Sequence, residues 1–186
     1  MKKTIAILLV LVIAMAGVWA ANNSTSDMKI TTTIADIFQI FVTEDNTAIS
    51  DWDEYVQADV IKDVNSSFAD AFSYVASLQA RSNRVAGFNI KVKASSLYST
   101  TADKLIKYEV KIGSTGAAVA SDATIEGGYT ADLSAVTSTL SATVTGTGSM
   151  VTINEDILVK LNSTDYANAG AANDYDAKIY IEYSTT

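Results

Sequence analysis

Tyr175-Asp176-Ala177-Lys178-Ile179-Tyr180-Ile181-Glu182-Tyr183 decides the fold class. Successive side chains of a strand point to opposite faces. Tyr175, Ala177, Ile179, Ile181 and Tyr183 therefore share one face, and Asp176, Lys178, Tyr180 and Glu182 share the other. An apolar face backed by a polar one marks a half-buried strand. Half-burial favours antiparallel pairing.

The same period recurs toward the N-terminus. Ile153, Ile157, Val159 and Leu161 share a face within Met150–Leu161, with a break expected at Asn154-Glu155-Asp156. Val136, Ser138, Leu140, Ala142 and Val144 give a weaker strand, closed by Gly146-Thr147-Gly148. Ile106, Tyr108, Val110 and Ile112 point inward, with Lys107, Glu109 and Lys111 outward. Phe88, Ile90, Val92 and Ala94 alternate with Asn89, Lys91 and Lys93. Phe72, Tyr74, Ala76, Leu78 and Ala80 oppose Ser73, Val75, Ser77 and Gln79. With Arg81-Ser82-Asn83-Arg84 as a turn, these last two runs are expected to pair as a hairpin. Ile37, Phe38, Ile40, Phe41 and Val42 are too dense to alternate cleanly and read as a bend or a strand buried on both sides. Met28, Ile30, Thr32 and Ile34 oppose Lys29, Thr31 and Thr33. No segment reads as a convincing helix, and 162–174 reads as a polar loop.

About seven strands at these spacings predict a single antiparallel β-sandwich. The chain has no proline, so Gly, Asn, Asp and Ser must make the turns, Gly127-Gly128 among them. Residues 44–67 break the pattern as the most acidic stretch, a long loop with one short strand near Tyr55–Ile61.

The first residues address the compartment. Lys2 and Lys3 precede an uncharged apolar run from Ile5 to Val18, followed by Val18-Trp19-Ala20-Ala21. A short basic region, an apolar core and small residues before a cleavage point are the parts of a secretory signal peptide. The run is shorter than the roughly 20 apolar residues of a spanning helix. The expected organisation is a signal peptide at 1–20, a flexible leader at 21–27, and a domain at 28–186. The mature chain carries no membrane anchor in this reading, and it is secreted or reaches the cell surface through the periplasm.

Cleavage after Ala20 leaves 166 residues, 11 basic against 21 acidic, with a net charge of −10. Such a surface repels phosphate backbones, so no nucleic-acid partner is expected. With no Cys and no His, a Ser/His/Asp triad and a Cys/His dyad are both out of reach. The glycines of 113–128 lack the context of a phosphate loop. Asp51, Asp53 and Glu54 beside Trp52 invite comparison with a glycosidase pair. An acidic solvated loop with Trp52 packed as a plug is the simpler reading. Glu44, Asp45, Asp51 and Asp53 offer oxygen ligands for calcium, without the spacing of an EF-hand. Tyr55, Tyr98, Tyr129 and Tyr166 fall in or near loops, where aromatics serve recognition or anchor the chain. Asn22, Asn23, Asn65 and Asn162 each begin an Asn-x-Ser/Thr tripeptide, common in a chain so rich in Ser and Thr. No catalytic residue, cofactor or metal is assigned, and the chain is expected not to be an enzyme.

Lys29-Ile30-Thr31-Thr32-Thr33-Ile34-Ala35-Asp36-Ile37-Phe38 resembles the opening of the alternate-pathway chaperone–usher pilins, a Thr-rich alternating segment before an Asp-containing apolar one. Gly87-Phe88-Asn89-Ile90-Lys91-Val92 matches their middle, and Asp174–Tyr183 is similar to the closing strand of pilins and spore-coat-U-like proteins. The resemblance is one of layout over most of the mature chain. It implies an immunoglobulin-like sandwich lacking one strand, completed by a neighbour's N-terminal extension. Met28, Ile30, Thr32 and Ile34 would then be the donor residues. Tyr175, Ala177, Ile179, Ile181 and Tyr183 would form the C-terminal assembly strand. The implied protein is a structural subunit of a surface fibre or coat, a homopolymer served by a periplasmic chaperone and usher. The alternative is a monomeric exported module, an adhesin or carbohydrate-binding domain.

Overall fold

Ten strands, all paired antiparallel, account for most of the regular backbone among the described residues. The structure, a computed structural model, describes residues 36–124, 132–135, 139–146 and 149–185. The strands are β1 (Phe38–Thr43), β2 (Ser73–Ser82), β3 (Phe88–Ala94), β4 (Leu97–Ser99), β5 (Lys104–Ile106), β6 (Tyr108–Ile112), β7 (Val119–Ala120), β8 (Thr139–Val144), β9 (Val151–Leu161) and β10 (Ile179–Thr185). The count exceeds the expected seven because β4, β5 and β7 are pieces of two or three residues.

Five strands form one sheet in the order β1-β2-β9-β6-β7, and three form a second in the order β10-β3-β8. The pair β4-β5 is a third, two-stranded sheet, tied to the approach to β10 by Tyr98 and Asp176, which exchange backbone bonds at 2.9 and 3.2 Å. Both sheets feed one core. Leu78, Ala80, Val110, Ile157, Val159 and Leu161 come from the first, and Phe88, Ile90, Val92 and Ala94 from the second. The expected inward faces of β3 and of Ile106–Ile112 are buried as read, although the single strand expected over Leu105–Ile112 is broken at Lys107 into β5 and β6, which pair in different sheets.

Several expectations need correction. β2 and β3 are not a hairpin: β2 pairs with β1 and β9, and β3 with β10 and β8. The chain between them crosses from sheet to sheet. Arg81 and Ser82 still belong to β2, so the crossing begins at Asn83. Gly87 allows it, with φ of +77° and a Cβ position already filled by the Val144 carbonyl.

The inward and outward sets assigned to β2 do not survive either. Val75–Ala80 are all buried, polar Ser77 and Gln79 included. A bulge between Tyr74 and Ala76 breaks the register, and a loop covers the outer face. Tyr74 is only half-buried, with its hydroxyl donating to the Glu44 carbonyl at 2.9 Å. β9 runs unbroken through Asn154-Glu155-Asp156, because these residues pair with Gln79, Leu78 and Ser77. No strand forms at Tyr55–Ile61.

Residues 162–174 contain a short helix, α1 (Ser163–Ala167), capped by Asn162, whose side chain accepts from Asp165 N at 3.0 Å. Ile179 and Ile181, on the expected apolar face of the last strand, are only half-buried because β10 is an edge strand. The signal peptide, the leader, the segment Met28–Ile34, Gly127-Gly128, Tyr129, Val136, Ser138 and Thr147-Gly148 lie outside the described residues. Among the described residues no helix is long and apolar enough to cross a membrane.

Candidate functional site

Two regions carry most of the described residues singled out from the sequence: the acidic loop after β1, and the flank where β1 and β10 meet.

The loop lies against the outer face of the five-stranded sheet. Its anchor is Gln79, which is 1 % exposed. Gln79 Nε2 donates to Thr43 Oγ1 at 3.0 Å and to the Thr47 carbonyl at 2.8 Å, and Oε1 accepts from Ile49 N at 2.8 Å. A buried amide is tolerated when its polar atoms are matched, and here the matching comes from the loop. Trp52 is the second anchor, buried beside Phe41 with Arg81 over its ring at 5.3 Å. Arg81 also reaches Gln39 Oε1 and Asp53 Oδ1. Tyr55 packs on Phe41 at 4.7 Å between ring centroids.

Three carboxylates of this loop, those of Asp45, Asp51 and Asp53, are engaged. Asp51 Oδ1 accepts from Asp53 N and Glu54 N, Asp45 Oδ1 accepts from Thr47 N, and Asp53 pairs with Arg81. Among the described residues no three of Asp, Glu, His and Cys converge as a metal site would require. A cleft of about 600 Å³ opens beside Glu44, Asp45, Asp51, Glu54, Tyr55 and Asp59. Trp52 lies inside the packing as a plug, so the aromatic side chain best suited to a sugar platform is spent on anchoring.

At the other region the two edge strands bring their aromatics together. The Phe38 ring stacks on Tyr183 at 3.6 Å and meets Phe88 edge-on at 5.0 Å. The core is closed around Val92 and Val110, both fully buried. Toward the flank it is only half-covered: Phe38, Ile40, Ile179 and Ile181 are half-buried, while Ile37 and Tyr183 are 37 % and 43 % exposed. Of the expected C-terminal assembly set, Ile179, Ile181 and Tyr183 lie on β10. Tyr175 and Ala177 precede it and pack against the same core. The expected donor residues Met28, Ile30, Thr32 and Ile34 lie outside the described residues.

The approach to β10 is held by Asp174. Its Oδ1 accepts from Ser99 Oγ, and its Oδ2 from Thr100 Oγ1 and Thr101 N, each at 2.9 Å. These donors, the Ser99 hydroxyl foremost and the Thr101 N–H next, hold the Asp174 carboxyl far below the usual carboxylate range. Tyr108 is the opposite case. Burial pushes its phenol well above the ordinary value, and its hydroxyl has no hydrogen-bond partner among the described residues.

Two of the four Asn-x-Ser/Thr tripeptides are explained by local structure. Asn162 caps α1, and Asn65 Oδ1 accepts from Ser67 N at 3.0 Å at the start of a 3-10 turn, Ser66–Ala69. Tyr98 donates to Asp103 Oδ1 at 3.2 Å, and half-buried Tyr166 packs against the core. These positions anchor loops.

No family model, curated protein or solved structure matches the chain. Sequence reasoning missed Gln79, Gln57 and Asp174. Gln79 stood among outward residues, Gln57 fell in the short strand expected near Tyr55–Ile61, and Asp174 closed the expected polar loop and opened the stretch likened to a closing strand. The one available signal was an amide placed among apolar neighbours in Ser77-Leu78-Gln79-Ala80.

Proposed function

We propose that this chain is an exported structural subunit with an immunoglobulin-like sandwich, assembling into a surface fibre or coat by strand addition between copies. The half-covered flank between β1 and β10 carries the reading. Apolar side chains at Phe38, Ile40, Ile179, Ile181 and Tyr183 remain partly open there, on two edge strands. A sheet edge beside an open core favours an added strand, whose backbone completes the ladder and whose alternate side chains fill the gap.

Met28–Ile34, alternating and rich in Thr, is the strand proposed to fill it. The segment comes just ahead of β1 in sequence. Insertion into the next copy does not close on itself, so it yields an open filament. A periplasmic chaperone that covers the flank before assembly is part of the same proposal, as is the absence of catalysis.

The test is deletion of residues 21–34 with the segment added back as a peptide. The full chain is expected to grow in mass with concentration. The deletion is expected to stop this growth and to melt at a lower temperature, and the peptide to restore the melt. A full chain that stays monomeric at high concentration, with a melt unaffected by the deletion, refutes the proposal and returns the chain to a self-complete binding module.

A further inference from the structure

The outer edge of β1 carries a stopper. In an antiparallel ladder, alternate residues turn both backbone polar groups to one side, and the residues between them turn theirs to the other. Ile37 faces β2, since its carbonyl accepts from Asn83 N at 3.3 Å. Counting along β1 in register with β2, Phe38, Ile40 and Val42 therefore turn their N–H and C=O groups to the outer edge.

At Val42 that edge is taken. Val42 N donates to Gln57 Oε1 at 2.8 Å, and Gln57 Nε2 donates to the Val42 carbonyl at 2.9 Å. One side-chain amide thus exchanges two bonds with one residue. This is the pattern that a hydrogen-bonded residue of a neighbouring strand would make. Residues 55–61 form no strand, and Gln57 is itself exposed. The imitation rests on the side chain alone. A primary amide suits it because one group carries both a donor and an acceptor.

We propose that Gln57 is a gate on the β1 edge. It closes the edge at Val42 against strand addition by a second copy, so that pairing along β1 stops at Ile40. The inference rests on the strand-addition reading above. Charged residues, bulges and covering loops commonly protect exposed edges, and here a side-chain amide serves the same end. An incoming strand that runs past Ile40 must displace both Gln57 bonds before it gains its own. Lifting the loop would release the gate.

The test compares the full chain with its Gln57→Ala variant by amide hydrogen exchange and by sedimentation across a range of concentrations. The Val42 amide is expected to exchange at least tenfold faster in the variant. The Val110 amide, in the core, is expected to keep its rate, which separates local opening from general loosening. The variant is also expected to show a larger weight-average mass than the parent chain at equal concentration. An unchanged Val42 rate overturns the gate, and so does a faster rate with no gain in mass. Failure of the fibre reading is seen separately, as a parent chain that remains monomeric at every concentration.

Discussion

Replacing Gln79 by Leu separates the contribution of one buried amide from that of the strand that carries it. The side chain makes three hydrogen bonds, two donated to Thr43 and Thr47 and one accepted from Ile49. Each is worth about 1 kcal/mol net, so their joint loss costs about 3 kcal/mol. Leucine is close in size and apolar, and its burial returns about 1 kcal/mol. The expected net loss is therefore about 2 kcal/mol by urea denaturation. The loss should be local in origin, with faster exchange at the Ile49 amide and earlier protease cleavage between residues 44 and 60. Gln79→Glu supplies the electrostatic control. It retains an acceptor for Ile49 N and loses the amide donors facing Thr43 and Thr47. Burial raises a carboxyl pKa, so this destabilisation should be present at neutral pH and shrink as acid neutralises the side chain. A Leu variant within about 0.5 kcal/mol of the parent, below the usual cost of even one lost bond, would refute the reasoning. So would unchanged protection at Ile49.

Three further outcomes are expected. Tyr108→Phe removes a buried hydroxyl that has no partner among the described residues, so stability should hold or rise by about 1 kcal/mol, and a loss of that size in urea would contradict the assignment. Asp174 has a folded pKa depressed below its unfolded value of about 3.9. Its contribution is complete above that pH and fades as pH falls toward the depressed value, so Asp174→Asn should lower the melting temperature at pH 7 and flatten the acid dependence; an unchanged acid profile would count against it. Ile90→Ala, in the sealed core, should cost about 2–5 kcal/mol. Ile181→Ala, half-buried on the flank, should cost about 1 kcal/mol in the isolated chain, and equal losses by thermal melting would mean that the flank is closed.

The alternation of Phe88–Ala94 and Ile106–Ile112 was enough to identify an all-β chain with antiparallel sheets and to name much of its core. That pattern is legible because strand side chains alternate whatever the partner, and an apolar face must find cover. The acidic stretch after β1 was likewise legible as loop, and Trp52 as its plug. Alternation names a face and never a neighbour. It therefore could not tell that β2 and β3 part company across the core, a choice made by the crossing at Gly87 and its tight approach to Val144. Nor could it tell that the outer face of β2 is buried, because the cover comes from a loop about 30 residues earlier in the chain, through Gln79. The half-exposure of Ile179 and Ile181 follows from the edge position of β10, and the stopper at Val42 from a side chain 15 residues away. The order of residues sets the strand period and the faces that seek burial. Tertiary structure alone decided sheet partners, edges and the polar matches that close them, because those depend on which distant groups meet when the chain packs.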